Sequence, residues 1–385
     1  MTRCAALLWL MSLAVSGAEP TFRAVTIDGK IQIGYGVAVA DVDGDKKPDI
    51  LLADKRQFVW YRNPTWEKFV MAENLTPKDN VCLAAQDLDG DGKCEVAVGG
   101  EWNPGDTENS GAVFYLIAPE DRTQRWEAVK LHAEPTVHRM RWVWYNSTWR
   151  LLVAPLHGRG NQQGAGAGAR LLEYTMAVAG PRGEWTTEVL SDTLHLTHNI
   201  DVFGPESKSH EVVVASKEGL FGIRKLAPIP FLEPSAMPSF TGAGEVRRGM
   251  DSSREFYLAS VEPMHGNMLY VNGPAGKARQ LLTDKLVEGH ALACGDVLGA
   301  GYDQIVVGWR GNAQQPRDIG IKIYSHEGAT GTWREAVVDV ANMACEDLTL
   351  ADLNGDGRLD IVASGRSTKN VVVYFNETPR GVAVP

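Results

Sequence analysis

Short apolar runs, each separated from the next by polar turns, recur along the whole chain. They are rich in β-branched and aromatic residues and too short for helices, so they predict buried β-strands. No amphipathic helical pattern of any length interrupts them. The most regular runs are residues 50–53, 96–98, 151–154, 212–215, 256–259, 305–308 and 361–363.

Aligning the turn that precedes each run reveals a repeat of about fifty residues. A third strand follows most of these runs, and a fourth often opens with tryptophan, as at Trp66, Trp126, Trp185 and Trp333. Seven units of four strands predict an all-β fold, the seven-bladed β-propeller with antiparallel blades. The aligned turn positions are Asp41, Asp87, Trp144, Gly204, Asp251, Asp296 and Asp352.

The two ends of the chain complement each other. The seventh unit stops after its third strand, at residues 371–375, whereas residues 22–27 copy the fourth-strand pattern of the other units. We expect this N-terminal strand to complete the last blade and close the ring, because closure removes two exposed sheet edges. Residues 19–385 are therefore predicted to form a single propeller domain.

Three of the seven turns carry an acidic template with oxygen ligands at positions 1, 3, 5 and 9 around a glycine. That spacing suits a hard cation such as Ca²⁺, or Mg²⁺. The predicted ligands are Asp41, Asp43, Asp45 and Asp49; Asp87, Asp89, Asp91 and Glu95; and Asp352, Asn354, Asp356 and Asp360. The related turn at Asp296 has Leu298 and Ala300 at ligand positions, so we expect no ion there.

These acidic loops resemble the FG-GAP/VCBS repeats of integrin-type propellers. The resemblance is specific for the fold and nearly silent on function, since adhesins, lyases and lectins share it. The loops fall in the turn between the first and second strands of a blade. That turn lies on the face away from the usual ligand site, so a structural role is expected.

The opposite face collects titratable side chains. Six residues before the aligned turn positions, at the mouth of the central channel, stand His138, His198, Glu245, His290 and Glu346. Imidazoles and carboxylates that converge there can bind Zn²⁺ or a similar ion, or transfer protons near neutral pH. His132, His195, His210 and His326 fall elsewhere and are interpreted as scaffold. The links after the second strands add Trp102, His157, Arg159, His265, Arg310 and Arg366 to this face.

Residues 137–141, 154–161, 288–292 and 305–310 resemble the propeller of aldos-2-ulose dehydratases. The resemblance implies β-elimination on a keto-sugar or oxidised glycoside. It implies a central Zn²⁺ or Mn²⁺ on His198, His290 and Glu346, and His138 or His157 as base. Arg159 and Arg310 would then stabilise the enolate. His265 is a further catalytic candidate, and Trp102, Arg366 and Glu245 are predicted to bind substrate.

Two other classes of function remain open on sequence grounds. One is a sugar-binding or adhesion propeller without chemistry, which the acidic loops and the lack of a complete catalytic motif favour. The other is a uronate polysaccharide lyase, in which arginines neutralise the substrate carboxylate. The density of histidines favours an enzyme over a binding module, and the resemblance implies that this enzyme is a carbon–oxygen lyase acting on carbohydrate.

The N-terminus and the overall composition set the expected location. A basic start, an apolar run over residues 4–15 and the small residues before position 19 predict a secretory signal peptide over residues 1–18. We expect a secreted or periplasmic protein, because the run is too short to span a membrane. The net charge of -10 without a basic tract argues against nucleic acid as partner. Four cysteines remain after cleavage and are expected to be buried thiols: Cys82, Cys94, Cys294 and Cys345.

Overall fold

The computed structural model describes residues 19–204, 209–224, 227–230, 242–273, 279–327 and 331–379. The predicted signal peptide lies outside these ranges. Within them the chain forms strands and no helix, arranged as seven four-stranded antiparallel sheets. None of the described segments is a helix that could cross a membrane. The predicted all-β, seven-bladed propeller is confirmed.

The first three blades follow the chain in order, each sheet running from the channel outward. Blade 1 contains β2 (Gly36–Ala40), β3 (Asp49–Ala53), β4 (Gln57–Arg62) and β5 (Glu67–Glu73). Blade 2 contains β6 (Cys82–Gln86), β7 (Glu95–Gly100), β8 (Ala112–Ile117) and β9 (Glu127–Leu131). Blade 3 contains β10 (Val137–Tyr145), β11 (Thr148–Pro155), β12 (Leu171–Thr175) and β13 (Thr186–Ser191).

The next three blades repeat this order. Blade 4 contains β14 (Thr197–Phe203), β15 (Glu211–Ser216), β16 (Leu220–Arg224) and β17 (Ala227–Pro230). Blade 5 contains β18 (Glu245–Met250), β19 (Phe256–Glu262), β20 (Met268–Asn272) and β21 (Gln280–Thr283). Blade 6 contains β22 (Gly289–Gly295), β23 (Gln304–Trp309), β24 (Gly320–Glu327) and β25 (Thr332–Val340).

Blade 7 is built from both ends of the chain. Its sheet order is β26 (Cys345–Ala351), β27 (Asp360–Gly365), β28 (Asn370–Asn376) and β1 (Phe22–Asp28). The N-terminal strand pairs antiparallel with β28, with Phe22 opposite Asn376 and Val25 opposite Val373. The ring is therefore closed as the two end patterns predicted.

The hydrophobic core lies between neighbouring blades. The apolar runs of the sequence are the second strands of the blades, and β3 and β27 are buried along their whole length. Leu51 and Trp60 of blade 1 pack in one cluster with Val96 of blade 2. Ile50 packs with Val373 of blade 7, which seals the junction of first and last blades. Burial of a large apolar side chain contributes roughly 1.5–3 kcal/mol, so these layers dominate the stability of the ring.

The four cysteines of the described chain are free thiols. Cys82, Cys94 and Cys345 are buried in the cores between blades, and Cys294 is half-buried. Burial raises the pKa of the Cys82 thiol to about 12, so this side chain is an unreactive apolar group at neutral pH.

Candidate active site

Four histidines converge at one end of the channel. The channel-lining strands β10, β14 and β22 carry His138, His198 and His290 as their second residues, and all three are buried. His265 reaches them from the turn between β19 and β20, where its φ of 53° bends the chain. The ring of His198 lies 4.5 Å from that of His138, 4.7 Å from His265 and 5.2 Å from His290, measured between centroids. The four rings thus form one polar site, which is built from the first strands of three blades and from one link between strands.

Three of these rings form a set that could hold a metal ion. One ligand nitrogen from each of His198, His265 and His290 lies within 4.8 Å of the others. Nε2 of His198 is 2.8 Å from Nε2 of His265, so the two rings either share a proton or face a common cation. Neutral imidazoles in such a cluster are the preferred protein ligands of Zn²⁺ and related ions.

Backbone carbonyls fix how two of the rings are presented. Nδ1–H of His198 donates to the carbonyl oxygen of Gly244 at 2.9 Å, and Nδ1–H of His290 donates to that of Glu346 at 2.6 Å. A carbonyl can only accept, so Nδ1 carries the proton and Nε2 keeps its lone pair. Metal-binding histidines are commonly oriented by this kind of outer hydrogen bond.

The surroundings keep the rings neutral. Burial lowers the pKa of His198 and His290 well below the usual range, and the nearby guanidinium groups of Arg139 and Arg310 lower it further. Burial lowers the pKa of His265 as well, with the neighbouring His198 adding to the shift. A neutral imidazole is the protonation state that a metal ion requires of its ligand.

Glu346, which the sequence placed beside His198 and His290 as a metal ligand, is engaged elsewhere. Its two carboxylate oxygens accept from Arg310 at 2.6 Å and from Arg366 at 2.7 Å. Arg310 also pairs with Glu288 at 3.0 Å, and its Nη2 lies 3.4 Å from Nδ1 of His265. His265 contributes the third imidazole of the cluster, and the metal-binding role of Glu346 stays a prediction.

His138 is held on both sides. Its Nδ1–H donates to the carbonyl oxygen of His198 at 2.7 Å, and its Nε2 accepts from Nη1 of Arg139 at 3.2 Å. The indole of Trp102 packs on the outer side, 4.9 Å from the imidazole. The ring would have to give up one of these partners before it could accept a substrate proton.

His157 and Arg159 lie on the neighbouring link of blade 3. The backbone N–H of His157 donates to Oγ1 of Thr136 at 2.9 Å, whereas its buried Nδ1 has no partner. Arg159 is half-exposed at the rim, where it donates to the carbonyl oxygen of Glu108 at 2.7 Å. Neither contact ties these residues to the histidine cluster.

Arg366 also lies at the rim. Its guanidinium stands 5.3 Å from the ring of Tyr35, whose hydroxyl donates to Asp79 at 2.9 Å. Tyr35 marks the mouth position of blade 1, and Asp79 precedes β6 of blade 2. Arg366 thus extends the polar surface from the cluster toward the first two blades.

A buried layer of charge below the histidines was not singled out from the sequence. Arg139 and Arg141 of β10 and Arg247 of β18 share the channel with Asp201 and Asp347. Burial raises the pKa of both carboxyl groups, and the arginines oppose that rise. The two arginines at alternate positions of one channel strand, Arg139 and Arg141, are the sequence signal that could have found this layer.

Glu245, predicted to bind substrate, belongs to the same buried layer. Its side chain is 1% exposed and accepts from Nδ2 of Asn199. One carboxylate oxygen lies 3.2 Å from Nδ1 of His198, and the other lies 3.8 Å from Arg247. Glu245 therefore supports the cluster from inside the channel.

The acidic loops lie at the other end of the first strands and are shaped by their own backbone. Both carboxylate oxygens of Asp41 accept N–H groups, from Gly44 and Lys46, each at 2.7 Å. The carboxylates of Asp41, Asp43 and Asp45 gather closely enough to share an ion, as do those of Asp87, Asp89 and Glu95. Burial raises the pKa of both position-nine carboxyl groups, Asp49 and Glu95, to about 7.

The degenerate loop at Asp296 shows how much of this acidity the turn itself needs. Asp296 still accepts from Ala300 at 2.7 Å and Gly301 at 2.8 Å. Its ninth residue is the neutral Gln304, which accepts from Leu298 at 2.7 Å. The backbone N–H groups of this turn are therefore satisfied by one carboxylate and one amide, and the additional carboxylates of the acidic loops are not needed to form it. This surplus fits a Ca²⁺ site.

Comparison with known proteins agrees with this architecture. Residues 41–98, which span the first two acidic loops, match the FG-GAP-like repeat family. The chain is a seven-bladed β-propeller with an FG-GAP-like repeat. The comparison with curated proteins found no match.

Solved structures similar to this propeller differ widely in sequence. The BBS1N chain crystallised in complex with ARL6DN is 13% identical, with a TM-score of 0.59 over 94% of this chain and 99% of that one. A chain of the Mitotic Checkpoint Complex is 12% identical, with a TM-score of 0.56 over 97% of each chain. The extracellular domain of BT4673 from B. thetaiotaomicron is 11% identical, with a TM-score of 0.53 over 92% of this chain and 39% of that one. At such identities the likeness concerns the fold alone.

Proposed function

We propose that this protein is a carbohydrate-active carbon–oxygen lyase that uses a divalent metal ion, Zn²⁺ or Mn²⁺, at the histidine cluster. The observation that carries the proposal is the convergence of His198, His265 and His290 at the channel mouth, with two tautomers fixed by backbone carbonyls. A histidine with a purely structural role needs only one or two hydrogen bonds to other groups. Here Nε2 of His198 faces Nε2 of His265 at 2.8 Å.

The proposed substrate is a keto-sugar or an oxidised glycoside. A bound divalent ion would polarise the carbonyl oxygen and so acidify the adjacent C–H bond. Arg310 lies 3.4 Å from His265 and is nearly buried, so its guanidinium would stabilise the enolate negative charge in a site of low dielectric constant. Trp102 and Arg366, at the rim, would contact the sugar.

Elimination also requires a base for the C–H proton. Of the two predicted bases, His138 is held by His198 and Arg139. His157 is less constrained, since its buried Nδ1 has no hydrogen-bond partner in the described chain. The proposal places the protein outside the cytoplasm, with Ca²⁺ in the acidic loops as a structural ion.

Metal analysis combined with an elimination assay tests the proposal. The purified mature protein should contain calcium and about one equivalent of zinc or manganese, and His290→Ala should lose the latter while keeping calcium. A nitrophenyl 3-keto-glucoside should release nitrophenol and yield an unsaturated keto-sugar. Calcium alone and no release would reject the lyase proposal in favour of a sugar-binding propeller. New ultraviolet absorbance from uronate polymers, with no release from the keto-glucoside, would indicate a polysaccharide lyase.

A further inference from the structure

We propose that His195 is the general base of this site and that Glu218 is its positioning residue. The inference rests on the proposed elimination reaction. His195 precedes β14, and Glu218 stands in the link between β15 and β16 of the same blade. The two residues are 23 positions apart in the chain.

Glu218 fixes both the position and the tautomer of the imidazole. Its Oε1 accepts from Nδ1–H of His195 at 2.8 Å and from the backbone N–H of His195 at 3.2 Å. Glu218 is itself held by Ser216, whose Oγ accepts its backbone N–H at 3.2 Å. With Nδ1 donating to a carboxylate, the neutral ring has its lone pair on Nε2. A base oriented in this way by a third group is the arrangement that proton abstraction requires.

The second ring nitrogen of His195 is free and reachable. The side chain is 39% exposed, and none of the described residues hydrogen-bonds its Nε2. His138, in contrast, has partners on both ring nitrogens. His157 is only 8% exposed and has no carboxylate partner. His132 is exposed, but its nearest carboxylate, Glu134, lies 3.7 Å away, beyond hydrogen-bond distance.

The dyad lies at the same end of the propeller as the metal-binding cluster. His195 stands three residues before His198, a stretch that spans at most about 10 Å when extended. Leu196 pairs with His157 in an isolated bridge, and Nδ2 of Asn161 donates to the carbonyl oxygen of His195 at 2.9 Å. A sugar whose carbonyl lies at the histidine cluster can therefore extend toward the His195 ring.

The proposed step conserves atoms and electrons. Nε2 of His195 takes the proton from the carbon next to the carbonyl, and the C–H electron pair moves into an enolate. When the carbonyl re-forms, this pair becomes a carbon–carbon double bond and the β C–O bond breaks. The leaving oxygen takes a proton from the imidazolium, which restores the neutral ring. No oxidant or reductant is needed.

Two neighbouring segments of the described chain carry further titratable groups. Lys217 precedes Glu218 and donates its Nζ to the carbonyl oxygen of Gly164 at 3.1 Å. His157 lies across the bridge to Leu196. Among the described residues, the carboxylate of Glu218 is therefore the charged group that hydrogen-bonds His195 directly.

Single-site variants assayed on a nitrophenyl 3-keto-glucoside test the inference. His195→Gln should lower kcat by 100-fold or more, the range of general acid–base catalysis, while metal content stays at the wild-type value. The exposed control His132→Gln should retain at least a third of wild-type kcat. Loss of activity in His157→Gln with a fully active His195→Gln would overturn the assignment and leave the lyase proposal standing.

Glu218 provides the second readout. Glu218→Gln should lower kcat about tenfold with KM and metal content unchanged, because the imidazolium that forms during proton transfer loses its neighbouring negative charge. Glu218→Asp should restore part of kcat. A wild-type kcat in Glu218→Gln, or no recovery in Glu218→Asp, would overturn the positioning role. Wild-type protein that binds the metal but eliminates nothing would reject the lyase proposal and this inference together.

Discussion

Replacement of Asp49 tests how the acidic loops stabilise the ring. Asp49 is fully buried, and its two oxygens accept the backbone N–H groups of Val42 at 2.9 Å and Asn63 at 2.8 Å. Nδ2 of Asn63 in turn donates to the carbonyl oxygen of Leu353 in blade 7, at 2.7 Å. Asp49 thus supports the junction at which the ring closes.

The size of the effect follows from the N–H groups that lose their acceptor. A buried donor without a partner costs about 1–3 kcal/mol, so Asp49→Ala should lower the free energy of unfolding by about 2–6 kcal/mol. Asp49→Asn keeps one acceptor oxygen and should lose about 1–3 kcal/mol. Both values refer to the metal-free protein, because a bound ion would add its own contribution.

Urea unfolding in EDTA measures these changes. The buffer should be near pH 8, above the raised pKa of Asp49 of about 7, so that the carboxylate is ionised. Asp45→Ala is the matched control, since Asp45 is part of the same loop but, in the described chain, its carboxylate accepts hydrogen bonds only from the backbone N–H and Nζ of the exposed Lys47. It should change the free energy by less than about 1 kcal/mol. Equal, small effects of Asp49→Ala and Asp45→Ala would refute the reasoning.

Two further predictions concern ions and protons. Chelation should lower the melting temperature, because an ion that binds only the folded loops adds about 2.7 kcal/mol to the free energy of unfolding when its free concentration is a hundred times its Kd. An unchanged melting temperature in EDTA would show that the loops do not bind ions. His138 is buried with a pKa well below the usual range, so the unfolded chain takes up a proton below about pH 6.5 that the folded chain does not. Wild type should therefore lose about 2 kcal/mol from this group between about pH 6.5 and 5, and His138→Asn should lack that part of the slope. Matching slopes in urea titrations of the two proteins would contradict this.

The fold could be predicted because its signals are local and repeated. Each second strand is a short apolar run, and each run follows a turn that recurs about every fifty residues. Seven imperfect repeats therefore establish the pattern better than any single one. The closure of blade 7 could be predicted for the same reason. Residues 22–27 carry a fourth-strand pattern without an adjacent partner, and the pairing of Val25 with Val373 supplies one.

The site could be predicted only as a set of residues on one face. The register of the repeat places His290 and Glu346 at equivalent positions at the channel mouth. It does not specify which neighbouring residue each side chain contacts. His265 reaches the cluster from a turn with positive φ, which no register describes. His195 falls outside this register, so its position alone indicates scaffold, and its contact with Glu218 of another link is visible only in the structure.

Glu346 and His265 offer the most direct test of the structure against the sequence. If Glu346 binds the metal, as its register indicates, Glu346→Gln should abolish binding. In the structure both of its oxygens bind arginines, so Glu346→Gln should still bind one equivalent of Zn²⁺. The affinity should fall by about 10–100-fold at most, because Arg310 and the support of the cluster are disturbed. His265→Ala removes a ligand and should weaken binding more than that. Competition titration with a chromogenic chelator measures both, and loss of binding in Glu346→Gln with retention in His265→Ala would show that Glu346 leaves its arginines to hold the ion.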